Sequence, residues 1–194
     1  GCLLGGAVGD ALGYPVEFLK EGTIWAQYGP HGIQTLEQAG SPARISDDTQ
    51  MTLFAAAALE YGRAHSLAPR EALWLAWREW LGTQGDTSRM EDPAHPRLWP
   101  YRVPQLHARR APGNTCLSAI RTSPRGGTMQ QPVNNSKGCG TVMRAAPFGL
   151  AMPAGRNGKE TVYQLAAEDA ALTHGHPLAW ASSGVLAQLL HWIV

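Results

Sequence analysis

The sequence predicts an all-α fold, and three observations carry that expectation. Apolar residues recur at three- and four-residue intervals over several long stretches, most clearly Leu73, Trp74, Trp77, Trp80 and Leu81. No alternating apolar–polar run is long enough to read as a strand. Helix-opening signals stand where the apolar stretches begin, a Ser46-Asp47-Asp48-Thr49 cluster and Pro69. With 194 residues, 44% of them hydrophobic, and a mean hydropathy of −0.22, the chain has material for one domain with a real core.

The first element is a small apolar helix over residues 1–13, with Leu3, Leu4, Ala7, Val8, Ala11 and Leu12 in helical register and Tyr14-Pro15 ending it. Gly1, Gly5, Gly6 and Gly9 each lower helix propensity by roughly 1 kcal/mol against alanine. A buried helix closely approached by another backbone would explain them. Residues 21–43 carry the turn signals Tyr28-Gly29-Pro30 and Ala39-Gly40-Ser41-Pro42 and read as loop with a short extended piece. Strong helices follow from Gln50 to Ala64 and from Pro69 to Leu81.

Residues 83–137 differ: they are rich in Pro and Gly, lack sustained periodicity, and carry Arg89, Arg97, Arg102, Arg109, Arg110, Arg121, Arg125 and Lys137 against only Asp86, Glu91 and Asp92. A long irregular stretch inside a domain is often functional. This one either guides a polyanionic substrate or forms a solvated rim. Within it, Cys116–Arg121 reads as helical. From Gly138 the chain turns apolar, and Thr161–Leu172 and Pro177–Val194 read as helices around a Thr173-His174-Gly175-His176-Pro177 turn. The expected organisation is a single domain over residues 1–194 with an irregular Pro/Arg-rich insertion at about 83–137. Apolar helical pattern runs into both ends of the sequence, so the domain is expected to be incomplete, chiefly at its C-terminus.

A formal net charge of +1 gives no electrostatic case for a nucleic-acid or membrane-surface binder. No apolar run reaches the roughly 18–20 residues needed to span a bilayer. Cys2, Cys116 and Cys139 are an odd set without zinc-like spacing, and they read as reduced thiols of a cytoplasmic protein.

Four local features are candidates for chemistry. In Ser46-Asp47-Asp48-Thr49, two carboxylates between two hydroxyls form an all-oxygen cluster suited to hard cations such as Mg²⁺ or Mn²⁺, or else a plain helix cap. Asp10 closes the glycine-rich helix and Glu17 follows it. Either Asp10 points into a pocket and Glu17 acts as general base or substrate clamp, or Asp10 bonds to turn backbone and Glu17 is solvated. Asn134-Asn135-Ser136-Lys137-Gly138-Cys139-Gly140-Thr141 offers backbone N–H groups to an anion, with a following helix to add its positive end, or is a simple junction. In the fourth feature, Thr173-His174-Gly175-His176-Pro177, one His contacts a ligand while the other caps the next helix, or both belong to a structural turn.

Taken in order, residues 1–13 (GCLLGGAVGDALG), Ser46-Asp-Asp-Thr49, Ser136-Lys-Gly-Cys-Gly-Thr-Val-Met-Arg-Ala-Ala-Pro147 and Thr173-His-Gly-His-Pro177 resemble the ADP-ribosylglycohydrolases, a family that includes the dinitrogenase-reductase-activating enzymes. The resemblance implies a compact all-helical fold with two Mg²⁺ or Mn²⁺ ions at the base of a cleft. It implies an activity that removes ADP-ribose from modified protein side chains, by default from arginine, so that the partner is an ADP-ribosylated protein or ADP-ribose. By the same resemblance, Ser46, Asp47 and Asp48 are metal ligands, and Glu17 with Asp47 and Asp48 is catalytic. Ser136, Lys137, Gly138, Cys139 and Gly140 cradle the diphosphate and distal ribose, and His174 contacts the ligand.

Two departures stand out. The family supplies further ligands from a late Asp-x-Asp-Ser/Thr motif, and none of the acids after Asp48 falls in that pattern. The second half of the ligand set is therefore missing from this chain and is expected from a further C-terminal segment or a second chain. Cys139 stands where many relatives carry Asn, which keeps a backbone donor and loses a side-chain contact. The alternative to an enzyme is an ADP-ribose-binding pseudoenzyme or structural member of the same family.

Overall fold

The computed structural model describes residues 1–151 and 158–194, the side chains of 158–160, among them Glu160, lying outside the description. Among the described residues the structure is helical and contains no strand. Its α-helices are α1 (Cys2–Gly13), α2 (Glu21–Tyr28), α3 (Leu36–Ala39), α4 (Asp47–Ala64), α5 (Pro69–Thr83), α6 (Asn114–Thr122), α7 (Ala146–Ala151), α8 (Gly158–Thr173) and α9 (Pro177–Ile193). Short 3₁₀ turns cover Tyr14–Val16, Trp99–Arg102, Pro104–Leu106 and Val142–Arg144.

The core lies where α4, α5, α6 and α8 meet. Met51 and Phe54 of α4, Trp77, Trp80 and Leu81 of α5, Ile120 of α6 and Leu172 of α8 are completely or almost completely removed from solvent. The tryptophan stripe read from the sequence thus faces inward, and truncating such a ring to alanine typically costs about 3–5 kcal/mol. Pro69 opens α5 at its first turn, where the missing N–H has no helical partner to lose. Helix α9 packs on α7 and α8. Gly149 makes the first contact possible, because a Cβ there would collide with the Ala187 carbonyl.

The stretch 83–137 holds α6 and two 3₁₀ turns, and its remaining backbone is pinned by side chains of the core helices. Gln50 donates from Nε2 to the carbonyls of Ala108 (2.9 Å) and Leu106 (3.3 Å). The buried Glu79 carboxylate accepts from the backbone N–H of Arg97 (2.7 Å) and Leu98 (3.0 Å). Arg70 donates to the carbonyls of Gly127 (3.0 Å) and Arg125 (2.9 Å). Side chains here satisfy backbone groups that a regular element would satisfy by itself. Part of the segment's positive charge is also neutralised locally, through Arg121–Asp86 (2.7 Å) and Arg97–Glu91 (2.9 Å).

Two expectations are corrected. Residues 21–43 hold helices α2 and α3 rather than loop with an extended piece. Helix α3 opens on a Thr35–Gln38 capping box, and neither helix has a fully buried residue, so no apolar stripe announced them. Helix α1 is not buried either. Ala11 is its one fully buried residue, and a Cβ on Gly5, Gly6, Gly9 or Gly13 would meet nothing within 4 Å. Apolar spacing fixes which face a helix can bury, not whether anything covers it. Among the described residues no helix is long and apolar enough to cross a membrane.

Candidate functional site

The N-terminus of α4 is organised around Asp10, from the end of α1. Its carboxylate accepts from Ser46 N (2.9 and 3.1 Å), Thr49 N (3.2 Å) and Thr49 Oγ1 (2.5 Å). Ser46 is the N-cap: its Oγ accepts from Asp48 N at 3.1 Å, so the capping reading of this cluster is correct for Ser46. The sequence offered Asp10 either a pocket or the backbone of its own turn; it lines a cleft and binds backbone far along the chain. Its partners lie 36 and 39 residues away, a separation no local pattern reveals.

A cleft of about 510 Å³ opens beside this junction. Asp10, Glu17, Ser46, Asp48 and Thr49 line it, together with Gly6, Gly9 and Gly13 of α1. The glycines therefore widen a cleft instead of admitting a neighbouring helix. No Lys, Arg or His is among its lining residues. The carboxyls respond accordingly. Burial, then the charges of Asp10 and Glu17, push Asp48 up to about 6. Partial burial and Asp10 also raise Glu17.

Asp47 points elsewhere. It is buried beneath the cleft, where its N–H donates to the Arg110 carbonyl (3.0 Å) and its Oδ2 accepts from Gly113 N (3.0 Å). Burial pushes Asp47 up to about 7 against the Gly113 hydrogen bond, with Asp48 and Glu17 adding repulsion. Through Gly113, the N-cap of α6, this carboxylate is tied to the second half of the site.

That second half is the Ser136–Gly140 loop. Ser136 Oγ meets Thr115 Oγ1 of α6 at 3.1 Å and accepts from Gly138 N at 3.3 Å. Asn134 staples the loop to the α8–α9 turn: Nδ2 donates to the Thr173 carbonyl (2.8 Å), and Oδ1 accepts from Ser136 N (2.9 Å) and Gly175 N (3.0 Å). Gly175 is required there, since a Cβ would strike the Asn134 carbonyl. Lys137, Gly138 and Cys139 are exposed. The expected α-helix does not follow the loop directly. The N–H groups of Val142 and Met143 instead turn back to the Cys139 carbonyl (3.0 and 3.4 Å) and form a 3₁₀ turn.

His174 lies beneath the loop, 1% exposed. A Cβ on Gly138 or Gly140 would sit 3.5 or 3.4 Å from its Nε2. Burial, then Arg144, lowers its pKa to about 4, so the ring is neutral at ordinary pH. His176 caps α9, accepting from Leu178 N at Nδ1 (3.1 Å), as the sequence suggested.

Sequence reasoning missed Arg144, which is fully buried beside His174. Its Nε donates to Asp169 Oδ2 (2.8 Å), its NH2 group to Thr173 Oγ1 (3.0 Å), and its guanidinium lies 4.2 Å over the Trp77 ring. Trp77 Nε1 completes the group by donating to Asp169 Oδ1 (2.9 Å). The available signal was one arginine inside the apolar run from Thr141 to Leu150; such a residue is buried only when paired.

The structure therefore brings Glu17, Ser46 and Asp48 together along one cleft and sets Asp47 under it. Ser136 to Gly140 stand with His174, on the far side of α6. Among the described residues no three His, Cys, Asp or Glu side chains stand close enough to hold a metal ion between them. A model of the ADP-ribosylglycohydrolase family matches residues 1–194. The chain is also similar to the ADP-ribosyl-[dinitrogen reductase] glycohydrolase of Rhodospirillum rubrum, with 34% identity over 201 residues. That alignment takes in all of this chain and 57% of the relative, so the chain spans little more than half the relative's length. With the match running from the first residue to the last, the chain belongs to the ADP-ribosylglycohydrolase family.

Proposed function

We propose that this chain forms the acid-cleft and ligand-loop portion of a metal-dependent hydrolase that removes ADP-ribose from modified protein side chains, with the N-glycosidic link to arginine as the default. The observation that carries this reading is the cleft itself, which three carboxylates, Asp10, Glu17 and Asp48, line without a cationic side chain among its lining residues. Repulsion of that kind is relieved by a hard cation with oxygen ligands. The donor set of the cleft fits in type and charge: Ser46 and Asp48 would hold Mg²⁺ or Mn²⁺ there, Asp47 would join them only by turning from the Gly113 N–H it now accepts, and the remaining ligands would come from outside this chain. Bound there, a divalent cation supplies Lewis acidity and a water of lowered pKa.

The chain's own residues perform the rest. Asp10 fixes the α4 N-terminus by accepting three N–H or O–H groups, which orients Ser46 and Asp48 toward the cleft. The negative charge of Asp48 and Glu17 stabilises the positive charge that develops at an anomeric carbon during glycosidic cleavage. Glu17 orients water or the reacting ribose. Ser136, Lys137, Gly138, Cys139 and Gly140, with His174 beneath, bind the diphosphate and distal ribose of ADP-ribose.

The test is release of free ADP-ribose from ADP-ribosyl-arginine by the full-length gene product with Mg²⁺ or Mn²⁺, beside calorimetric binding of each ion. Asp48→Asn is expected to remove ion binding and at least about 100-fold of the rate, since charge stabilisation of this kind is typically worth that much. Ion and ADP-ribose binding without release of product would favour a binding module of the same family. An Asp48→Asn protein that binds ions and turns over normally would sink the reading.

A further inference from the structure

The contacts around His174 fix more than its position. Arg144 can only donate, and its NH2 group donates a hydrogen bond to Thr173 Oγ1 at 3.0 Å. The Thr173 hydroxyl, 2.9 Å from His174 Nδ1, then has its own hydrogen to place. In a helix, threonine commonly turns that hydrogen to the carbonyl one turn back. Here the Asp169 carbonyl already receives Arg144 NH2 at 3.2 Å. Cys116 is the other side chain that reaches Thr173, but burial pushes its thiol up to about 11 and sulfur is a weak acceptor. That thiol directs its own hydrogen to the Gly140 carbonyl, with Sγ at 3.7 Å. His174 Nδ1 is the best acceptor available.

We propose that Thr173, oriented by Arg144, is a positioning residue that locks neutral His174 in the tautomer protonated at Nε2, so that a preset N–H donor stands beneath the Gly138–Gly140 loop for an oxygen of bound ADP-ribose. Asp169 and Trp77 hold Arg144, and Trp180 Nε1 holds the His174 carbonyl at 2.6 Å, so backbone and ring are both fixed before any ligand arrives. A donor oriented in advance needs no reorganisation on binding. Gly138 and Gly140 leave the approach to Nε2 unfilled, as the 3.4–3.5 Å positions of an added Cβ show. The identity of the ligand rests on the function proposed above; the tautomer does not.

The tautomer is read from ¹⁵N shifts and ring couplings of His174 in ligand-free protein, followed by calorimetry with ADP-ribose. His174 is expected to be unprotonated at Nδ1 and protonated at Nε2, and Thr173→Ser should keep that pattern and the parent affinity. Thr173→Val should mix the two tautomers and weaken ADP-ribose about tenfold, the loss of one well-placed hydrogen bond. A parent protein protonated at Nδ1 overturns the proposal, as does Thr173→Val with tautomer and affinity unchanged. Should Thr173→Val fail to fold, the parent and Thr173→Ser spectra decide alone. Absence of ADP-ribose binding by the parent would count against the proposed function, while the spectra would still settle the lock.

Discussion

On the cleft side of the site, Asp10, Glu17 and Asp48 face one another, and their charges are moderated only by backbone N–H groups and hydroxyls. On the loop side, the one buried guanidinium, Arg144, is enclosed by Asp169, Thr173 and the face of Trp77. The cleft is a set of acids lacking a counter-charge; the loop is a completed network. Removing a charge should therefore relieve the first and damage the second.

The largest effect is expected from the completed network. Asp169→Ala leaves the Arg144 guanidinium fully buried without its carboxylate, a change that typically costs about 3–5 kcal/mol. Urea unfolding measures it. Asp48→Asn in divalent-free buffer should be neutral or stabilising by the same assay, and equal losses in the two variants would erase the contrast.

Asp10 is the exception on the cleft side, because it is the one acid there whose oxygens are fully engaged. Asp10→Ala strands the N–H groups of Ser46 and Thr49 at the start of α4. A loss of about 1.5–3 kcal/mol follows from deleting a charged acceptor of partly buried donors. Asp10→Asn should recover part of it by retaining one acceptor oxygen. If Asp10→Ala is no more destabilising than Asp48→Asn, the cleft acids are equivalent and Asp10 has no anchoring role.

The two sides also differ in the sign of their pH response. Asp47 and Asp48 rise from 3.8 to about 7 and about 6 on folding, so between about pH 4 and 7 the native state holds protons that the unfolded chain has released. Their contribution is fully present below pH 3.8 and is lost as pH rises through 6 and 7. His174 falls from 6.5 to about 4, so it contributes stability above pH 6.5 that is lost as pH falls toward 4. Each group adds at most about 1.4 kcal/mol per pH unit to the slope. Relative to the parent, Asp47→Asn with Asp48→Asn should tilt the stability profile upward with pH across this window, and His174→Asn should tilt it downward. Saturating Mg²⁺ should act as the acid substitutions do. Parallel profiles for all three proteins would show that the burial of these groups does not govern their protonation.

What the sequence revealed follows the same division. Helices α4, α5 and α8 were legible because each buries apolar residues in helical register, α9 was legible from its apolar pattern although Leu178, Val185, Leu189, Trp192 and Ile193 are exposed, and Ser46 was legible as a cap because capping is local. Helix α2 was not, since Trp25 is exposed and no residue of the helix is fully buried. Glu17, Asp48 and His174 could be selected by residue type and motif. That Asp47 would turn to Gly113, and that Arg144 would be buried against Asp169, depended on partners 66 and 25 residues away. Periodicity registers which residues share a face, and it carries no information on which distant polar groups will satisfy one another.

The smallest expected effect falls on Glu17, and it tests the cleft most directly. Glu17 is exposed and carries no structural hydrogen bond through its carboxylate among the described contacts, so Glu17→Gln should change stability by no more than about 0.5 kcal/mol. Its charge nevertheless raises both Asp47 and Asp48. Glu17→Gln should therefore lower the titration midpoints of both carboxyls, followed by ¹³C NMR, with Asp48 responding although Glu17 is 31 residues away in sequence. The same variant should weaken Mg²⁺ binding, because an acid that repels its neighbours also attracts the ion that would relieve them. An unchanged Asp48 midpoint would mean that Glu17 does not face the α4 N-terminus, and the cleft would then hold two carboxylates, one of them already committed to backbone donors.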